Sequence, residues 1–99
     1  MMKDKWEKIL RLHLRPDPAQ LSNDKLYANE HRNDFFTPSD LIVTIKTKHK
    51  HYTFGGPVYS ASVNLRDDKI IVMFIAPRRY DIKWEKVIGI DLQFLMSSK

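Results

Sequence analysis

Two adjacent glycines, Gly55 and Gly56, interrupt a stretch that otherwise has the composition of one long β-strand, residues 51–63. Glycine tolerates backbone angles that a Cβ atom forbids in other residues, so a glycine pair inside a strand predicts a bulge or a sharp bend. The alternation of side chains also shifts by one residue across the pair, as a bulge would cause. A strand bent in this way can pair in one sheet with its first half and in a second sheet with its second half. That arrangement allows a short chain to close a small barrel.

Four more segments around the bent strand have strand patterns. Residues 41–47 alternate apolar and polar side chains, which is typical of a half-buried strand. Residues 69–75 are apolar on both faces, which favours a central strand. Residues 80–84 and 87–94 alternate again, with one 3₁₀ turn predicted at residues 84–87. Turns are predicted at residues 48–50, 64–68 and 76–79, where the apolar pattern stops.

The N-terminal part of the chain predicts helix. Residues 4–14 place Trp6, Ile9, Leu10 and His13 at helical spacing, and this apolar stripe would cover one end of the barrel. Asp4 is predicted to cap the helix, and prolines 16 and 18 end it, because the residue before a proline disfavours helical angles.

Residues 19–40 carry weaker signals. Ser22 is predicted to cap a short helix that runs to Asn29. Phe35 and Phe36 are then expected to pack against the core, and residues 37–40 have the composition of a turn.

The order of these segments predicts a mainly β fold with an N-terminal helix, in the α+β class. We expect a five-stranded small barrel with a strongly bent second strand and a helix covering one end. Residues 1–99 would form a single domain, with a helical N-terminal extension at residues 1–40 packed on a barrel at residues 41–95.

Several segments of the sequence resemble segments of known small barrels. They are Ile42-Val-Thr-Ile-Lys46, Gly55-Gly56, Lys69-Ile-Ile-Val-Met-Phe74 and Asp81-Ile-Lys-Trp-Glu-Lys-Val-Ile-Gly-Ile90. Their order resembles that in the SH3-like and Sm-like class. In that class a segment like residues 81–90 forms a short strand, a tight turn and a returning strand. An N-terminal helical region followed by a segment like residues 81–90 also looks like the YolD-like proteins of Gram-positive bacteria and their mobile elements. This second resemblance implies a bacterial protein associated with DNA synthesis by error-prone polymerases.

Composition excludes several classes of function. The 99 residues contain no cysteine, which excludes disulfides, thiolate metal sites and thiol nucleophiles. The longest apolar run, residues 70–77, is too short to span a bilayer, and the first residues lack a signal-peptide core. We therefore expect a cytoplasmic protein with no membrane association.

The net charge of +5 is concentrated in one part of the chain. Residues 1–40 and 84–99 each carry equal numbers of cationic and anionic side chains. Residues 41–83 carry eight Lys and Arg side chains against three Asp. Charge of this kind bears on partners and encounter rates rather than on the fold.

These cations suggest a site for nucleic-acid phosphates, with DNA favoured over RNA. The candidate contact residues are Lys46, Lys48, His49, Lys50, Arg66, Arg78 and Arg79. Lysine and arginine neutralise phosphates and release counterions, whereas an exposed aromatic ring can stack on a base. Tyr52 and Tyr80 lie near these cations, but their alternation assigns both to the core. Binding would then involve phosphates alone and be independent of sequence.

Two alternative functions remain open. A protein–protein adaptor, for instance a mobile-element protein acting on a host enzyme, would use Trp6, Phe35 and Phe36 as exposed anchors. A small ribonuclease toxin would use a set of basic and aromatic residues. That set is His49, His51, Arg78, Arg79 and Tyr80.

No enzymatic activity is favoured and no cofactor is expected. No metal site is expected either, because His49 and His51, the one promising pair, lie among lysines that repel a dication. The sequence leaves open the oligomeric state and whether the two basic turns share one face.

Overall fold

The computed structural model describes residues 3–75 and 78–95, and this part of the chain is mainly β with an N-terminal helix. The α-helices are α1, Lys3–His13, and α2, Lys25–Glu30, and 3₁₀ turns lie at Pro18–Leu21 and Trp84–Lys86. The first four strands are β1, Arg15–Pro16; β2, Asp34–Phe36; β3, Leu41–Thr47; and β4, His51–Gly55. The last four are β5, Ala61–Leu65; β6, Lys69–Phe74; β7, Arg79–Lys83; and β8, Val87–Phe94.

The strands form two antiparallel sheets. One has five strands in the order β1-β2-β5-β6-β7, and the other has three in the order β4-β3-β8. No backbone ladder joins the two sheets within residues 3–75 and 78–95. No helix in these residues is long and apolar enough to cross a membrane.

The glycine pair is the place where the chain passes from one sheet to the other. Gly55 and Gly56 both have positive φ, 102° and 70°. Their N–H groups donate to the carbonyls of Tyr59, at 2.7 Å, and Leu41, at 2.8 Å. The prediction that the chain switches sheets at the glycines is confirmed, but the prediction of a single continuous strand over residues 51–63 is wrong. An exposed connection, residues 57–60, separates β4 from β5.

The core lies between the two sheets. Alternate residues of β3 and β4 point inward from the three-stranded sheet, and alternate residues of β5, β6 and β7 point inward from the other. The residues at most 2% exposed include Val43, Ile45, Phe54, Val63, Ile70, Val72 and Ile82. The helix α1 adds Trp6 and Leu10 to the same cluster, and Leu14 follows directly after it, so the predicted amphipathic helix is confirmed.

The N-terminal segment differs from its prediction, because two of its pieces are strands. Strand β2 pairs with β5 through Phe35 opposite Val63, and β1 pairs with β2. The burial of Phe35 explains this, since an extended segment can place one side chain in the core and the next one outside. The helix caps also differ. Asp24, rather than Ser22, accepts the N–H groups that begin α2, and Asp4 lies within the first turn of α1.

The turns lie close to their predicted positions. The connection between β5 and β6 is confined to residues 66–68, and the 3₁₀ turn and the closing strand lie where the sequence places them. Of the predicted turn at residues 76–79, the first two residues are outside the described part of the chain.

Candidate nucleic-acid interface

Two tyrosines bridge the gap between the sheets. Tyr52 belongs to β4, at the edge of the three-stranded sheet, and Tyr80 to β7, at the edge of the five-stranded one. Their ring centroids are 5.1 Å apart and the rings meet edge to face. Both side chains are half-buried and pack against the core cluster, so their assignment to the core-facing side of each strand is confirmed. They fill the space between two strand edges that share no backbone ladder.

The two basic turns meet at this tyrosine pair. The ammonium of Lys50, in the turn between β3 and β4, lies 5.0 Å from the centre of the Tyr52 ring and 5.8 Å from that of Tyr80. The guanidinium of Arg78, just before β7, lies 6.0 Å from the Tyr80 ring and donates to its hydroxyl at 3.3 Å. Each such cation–π contact contributes about 0.5–1 kcal/mol at an exposed site. The tertiary fold therefore brings together two turns that lie far apart in sequence.

Beside the tyrosines lies an open groove of about 790 Å³, which we call the basic groove. It runs between the turn after β3 and the 3₁₀ turn after β7. Its lining residues are Thr47, Lys48, His49, Lys50, Tyr52, Asp81, Ile82, Lys83, Glu85, Lys86 and Ile88.

The basic groove carries an excess of positive charge. Four lysines, Lys48, Lys50, Lys83 and Lys86, line it against two acids. None of these lysines forms an ion pair with a residue in the described ranges 3–75 and 78–95. Of the two acids, Asp81 is already paired with Arg79 and Lys69. The groove therefore presents a positive field to an approaching anion.

The remaining candidate cations lie on other surfaces. Lys46 is on the outer face of the three-stranded sheet and contacts the Asp91 carboxylate at 2.7 Å. Arg66 and Arg79 line a second groove on the outer face of the five-stranded sheet. Of the seven predicted phosphate contacts, the structure thus brings together Lys48, His49, Lys50 and Arg78.

Arg78 and Arg79 are adjacent in sequence but have different partners. Arg79 forms an ion pair with Asp81, whereas Arg78 contacts Tyr80. Alternation along β7 directs Arg79 outward with Asp81, and its Nε donates to the Asp81 carboxylate at 2.6 Å. Hydrogen bonding from Arg79 lowers the pKa of Asp81, and the same interaction raises the pKa of Arg79.

We expect the carboxyl group of Asp81 to titrate below the ordinary aspartate pKa of about 3.9. Because the folded-state pKa is lowered, the pair stabilises the fold above the unfolded-state pKa, and this contribution is lost as the pH falls through the folded-state pKa. Carboxyl ¹³C shifts recorded against pH should show the Asp81 pKa rising in Arg79→Gln. It should stay unchanged in Arg66→Gln, because Arg66 bonds to Asn64 instead. An identical pKa in the wild type and Arg79→Gln would contradict the assignment.

Of the five residues considered for a ribonuclease, His51 and Arg79 lie apart from the other three. His51 is the cross-strand partner of Lys46 on the outer face of the three-stranded sheet, opposite in direction to Tyr52. Arg79 lies on the outer face of the other sheet, while Arg78 and Tyr80 meet at the tyrosine pair. The acid and base of such an enzyme need to flank one reacting bond, and this arrangement places His49 and His51 on different surfaces.

Of the three aromatic anchors considered for a protein partner, two are buried. Trp6 is 8% exposed and Phe35 4%, so the expectation that they are exposed is wrong. Phe36 is 43% exposed because it alternates with Phe35 along β2. It lies with Met73, Arg66 and Arg79 in the groove on the outer face of the five-stranded sheet.

Sequence reasoning missed two features. Lys83 and Lys86 lie in the basic groove, and their positions beside the predicted 3₁₀ turn were the available signal. Asp17, His31 and Asp34 also place ligand-type atoms within 4.8 Å of one another. In that cluster His31 Nδ1 lies 2.8 Å from Asp34, while Asp17 accepts the Ala19 N–H. The His31–Asp34 bond ties the end of α2 to the start of β2, and the Asp17 bond caps the 3₁₀ turn at Pro18–Leu21. No spacing in the sequence indicated this cluster.

Comparisons with protein-family models, curated proteins and solved structures found no match. The function is therefore argued from the chemistry of the basic groove.

Proposed function

We propose that this protein is a non-enzymatic module that binds nucleic-acid phosphates in the basic groove and at the adjoining tyrosine pair, where Arg78 lies. The observation that carries the proposal is the meeting of Lys50 and Arg78 at the ring of Tyr80. Lys48, Lys83 and Lys86 extend the same positive surface away from that point. A run of cations beside a groove suits a ligand with regularly spaced negative charges.

The contacts would be electrostatic for the most part. Lysine ammoniums neutralise phosphates as point charges and read no base edges, so affinity should depend on salt more than on sequence. This fits an accessory factor in a DNA transaction, the setting that the resemblance to YolD-like proteins implies. We further propose that the sheets make a small barrel of the SH3-like or Sm-like class, completed by side-chain packing between Tyr52 and Tyr80.

The test is the triple variant Lys48→Ala/Lys50→Ala/Arg78→Ala, assayed for binding to a labelled mixed-sequence DNA duplex by fluorescence anisotropy at several salt concentrations. Each cation contributes about 0.9 to the slope of log affinity against log salt concentration, so the slope should fall by about 2–3. The matched control is Lys8→Ala/Arg15→Ala/Lys25→Ala, which removes the same net charge from exposed positions outside the groove.

The control separates local contacts from net charge. The proposal predicts that the control retains nearly all of the wild-type salt slope. Equal losses in both variants would show that net charge alone drives the association. Absence of salt-sensitive binding by the wild type would refute the proposal.

A second candidate function, protein binding, is favoured by the exposed ring of Phe36 beside Met73, itself 50% exposed. An apolar segment of a partner could occupy the groove on that sheet face, with Arg66 and Arg79 at its rim. Under this function, Phe36→Ser would abolish association and the Lys48→Ala/Lys50→Ala/Arg78→Ala variant would retain it.

A further inference from the structure

The face of the Tyr52 ring is the aromatic surface available inside the basic groove. Tyr52 lines that groove, whereas Tyr80 does not. The edge-to-face contact with Tyr80 holds the Tyr52 ring in place. Ile88, 65% exposed, lines the same groove and adds an apolar surface. The groove thus combines lysines with an aromatic and an apolar contact surface.

The ammonium of Lys50 lies over the ring of Tyr52, and this contact is exchangeable. Lys50 is exposed, and its ammonium rests 5.0 Å from the ring centre at the end of a flexible stem. A cation–π contact at an exposed site is weaker than the stacking of a nucleobase on an aromatic side chain. A base can therefore take the position of the ammonium, and Lys50 can then move to the adjoining phosphate.

We propose that the ligand of the basic groove is single-stranded nucleic acid, with one base stacked on Tyr52 in the place of Lys50. This inference rests on the proposed function. In a duplex each base is already stacked between its neighbours and cannot offer a face to Tyr52 without being extruded. A single strand offers both its phosphates and its base faces, which matches lysines surrounding an aromatic surface.

The experiment compares an oligothymidylate 12-mer with a 12-base-pair duplex, both labelled, by fluorescence anisotropy at one salt concentration. Wild-type protein should bind the single strand about tenfold more tightly than the duplex. Tyr52→Leu, which keeps apolar packing and removes the ring, should lose about tenfold for the single strand and much less for the duplex. Tyr52→Phe is the matched control, because it keeps the ring and removes only the hydroxyl, and it should bind as the wild type does.

A second measurement needs no variant and so does not depend on how Tyr52→Leu folds. Ring-proton resonances of Tyr52 should move upfield on addition of the single strand, because a stacked base shields them, and should stay in place with the duplex. Equal affinity for both ligands, or a Tyr52 ring that does not respond to the single strand, would overturn the inference. If the Lys48→Ala/Lys50→Ala/Arg78→Ala variant still lowered binding in that case, phosphate binding itself would stand. Absence of binding to either ligand would remove both proposals.

Discussion

Replacing Gly55 by alanine should lower the free energy of unfolding by about 3–4 kcal/mol, a large part of the 5–15 kcal/mol typical of a domain. Gly55 has a φ of 102°, a region that residues with a side chain rarely adopt. An added Cβ would also overlap with the carbonyl oxygen of Leu41, which already accepts the N–H of Gly56. Relief would require a shift of the backbone where the chain changes sheets.

The matched control is Gly89→Ala in β8. A Cβ at Gly89 would meet only the Cδ atom of Lys46, at 3.8 Å, which is ordinary van der Waals contact. Urea denaturation followed by circular dichroism should show a small change for Gly89→Ala and a large one for Gly55→Ala. Similar midpoints for the two variants would show that the glycine corner does not constrain the fold.

The second large effect concerns the attachment of α1 to the sheets. Leu10 is fully buried in the core cluster, so Leu10→Ala should cost about 3 kcal/mol through lost burial and the cavity that remains. Alanine has a higher helix propensity than leucine, so the loss would reflect packing rather than helix formation. Thermal and urea unfolding would both measure this loss of stability in Leu10→Ala.

Leu12 provides the comparison on the same helix. It is 76% exposed, and Leu12→Ala should change the free energy of unfolding by no more than about 0.5 kcal/mol. If Leu10→Ala were equally mild, α1 would be an appendage rather than a part of the core.

The glycine corner and the candidate site are linked through β4. The corner ends β4 and directs the chain into the five-stranded sheet, which leaves β4 as an edge strand beside β7. Tyr52 on β4 can then meet Tyr80 on β7 across a gap that no backbone ladder spans in the described residues. The groove that we propose as the binding site is formed at this junction.

The sequence by itself determined the features that follow local rules. Alternation of apolar residues located β3, β7 and β8, because side chains of a strand point to opposite faces in turn, and a run that is apolar on both faces located β6. The glycine pair located the sheet switch, because only glycine adopts the required backbone angles without strain. Helical spacing located α1 and the buried residues that attach it to the core.

Only the tertiary structure decided which of these residues meet. Phe35 became part of a strand through its pairing with Val63, a long-range contact that no local pattern records. Lys50 and Arg78 converge on Tyr80, while the adjacent Arg79 lies on the opposite face of the sheet. The physical reason is that a shared surface depends on strand register and on how two sheets pack together. Both are set by contacts between distant residues, whereas local sequence controls only the angles and faces of each strand.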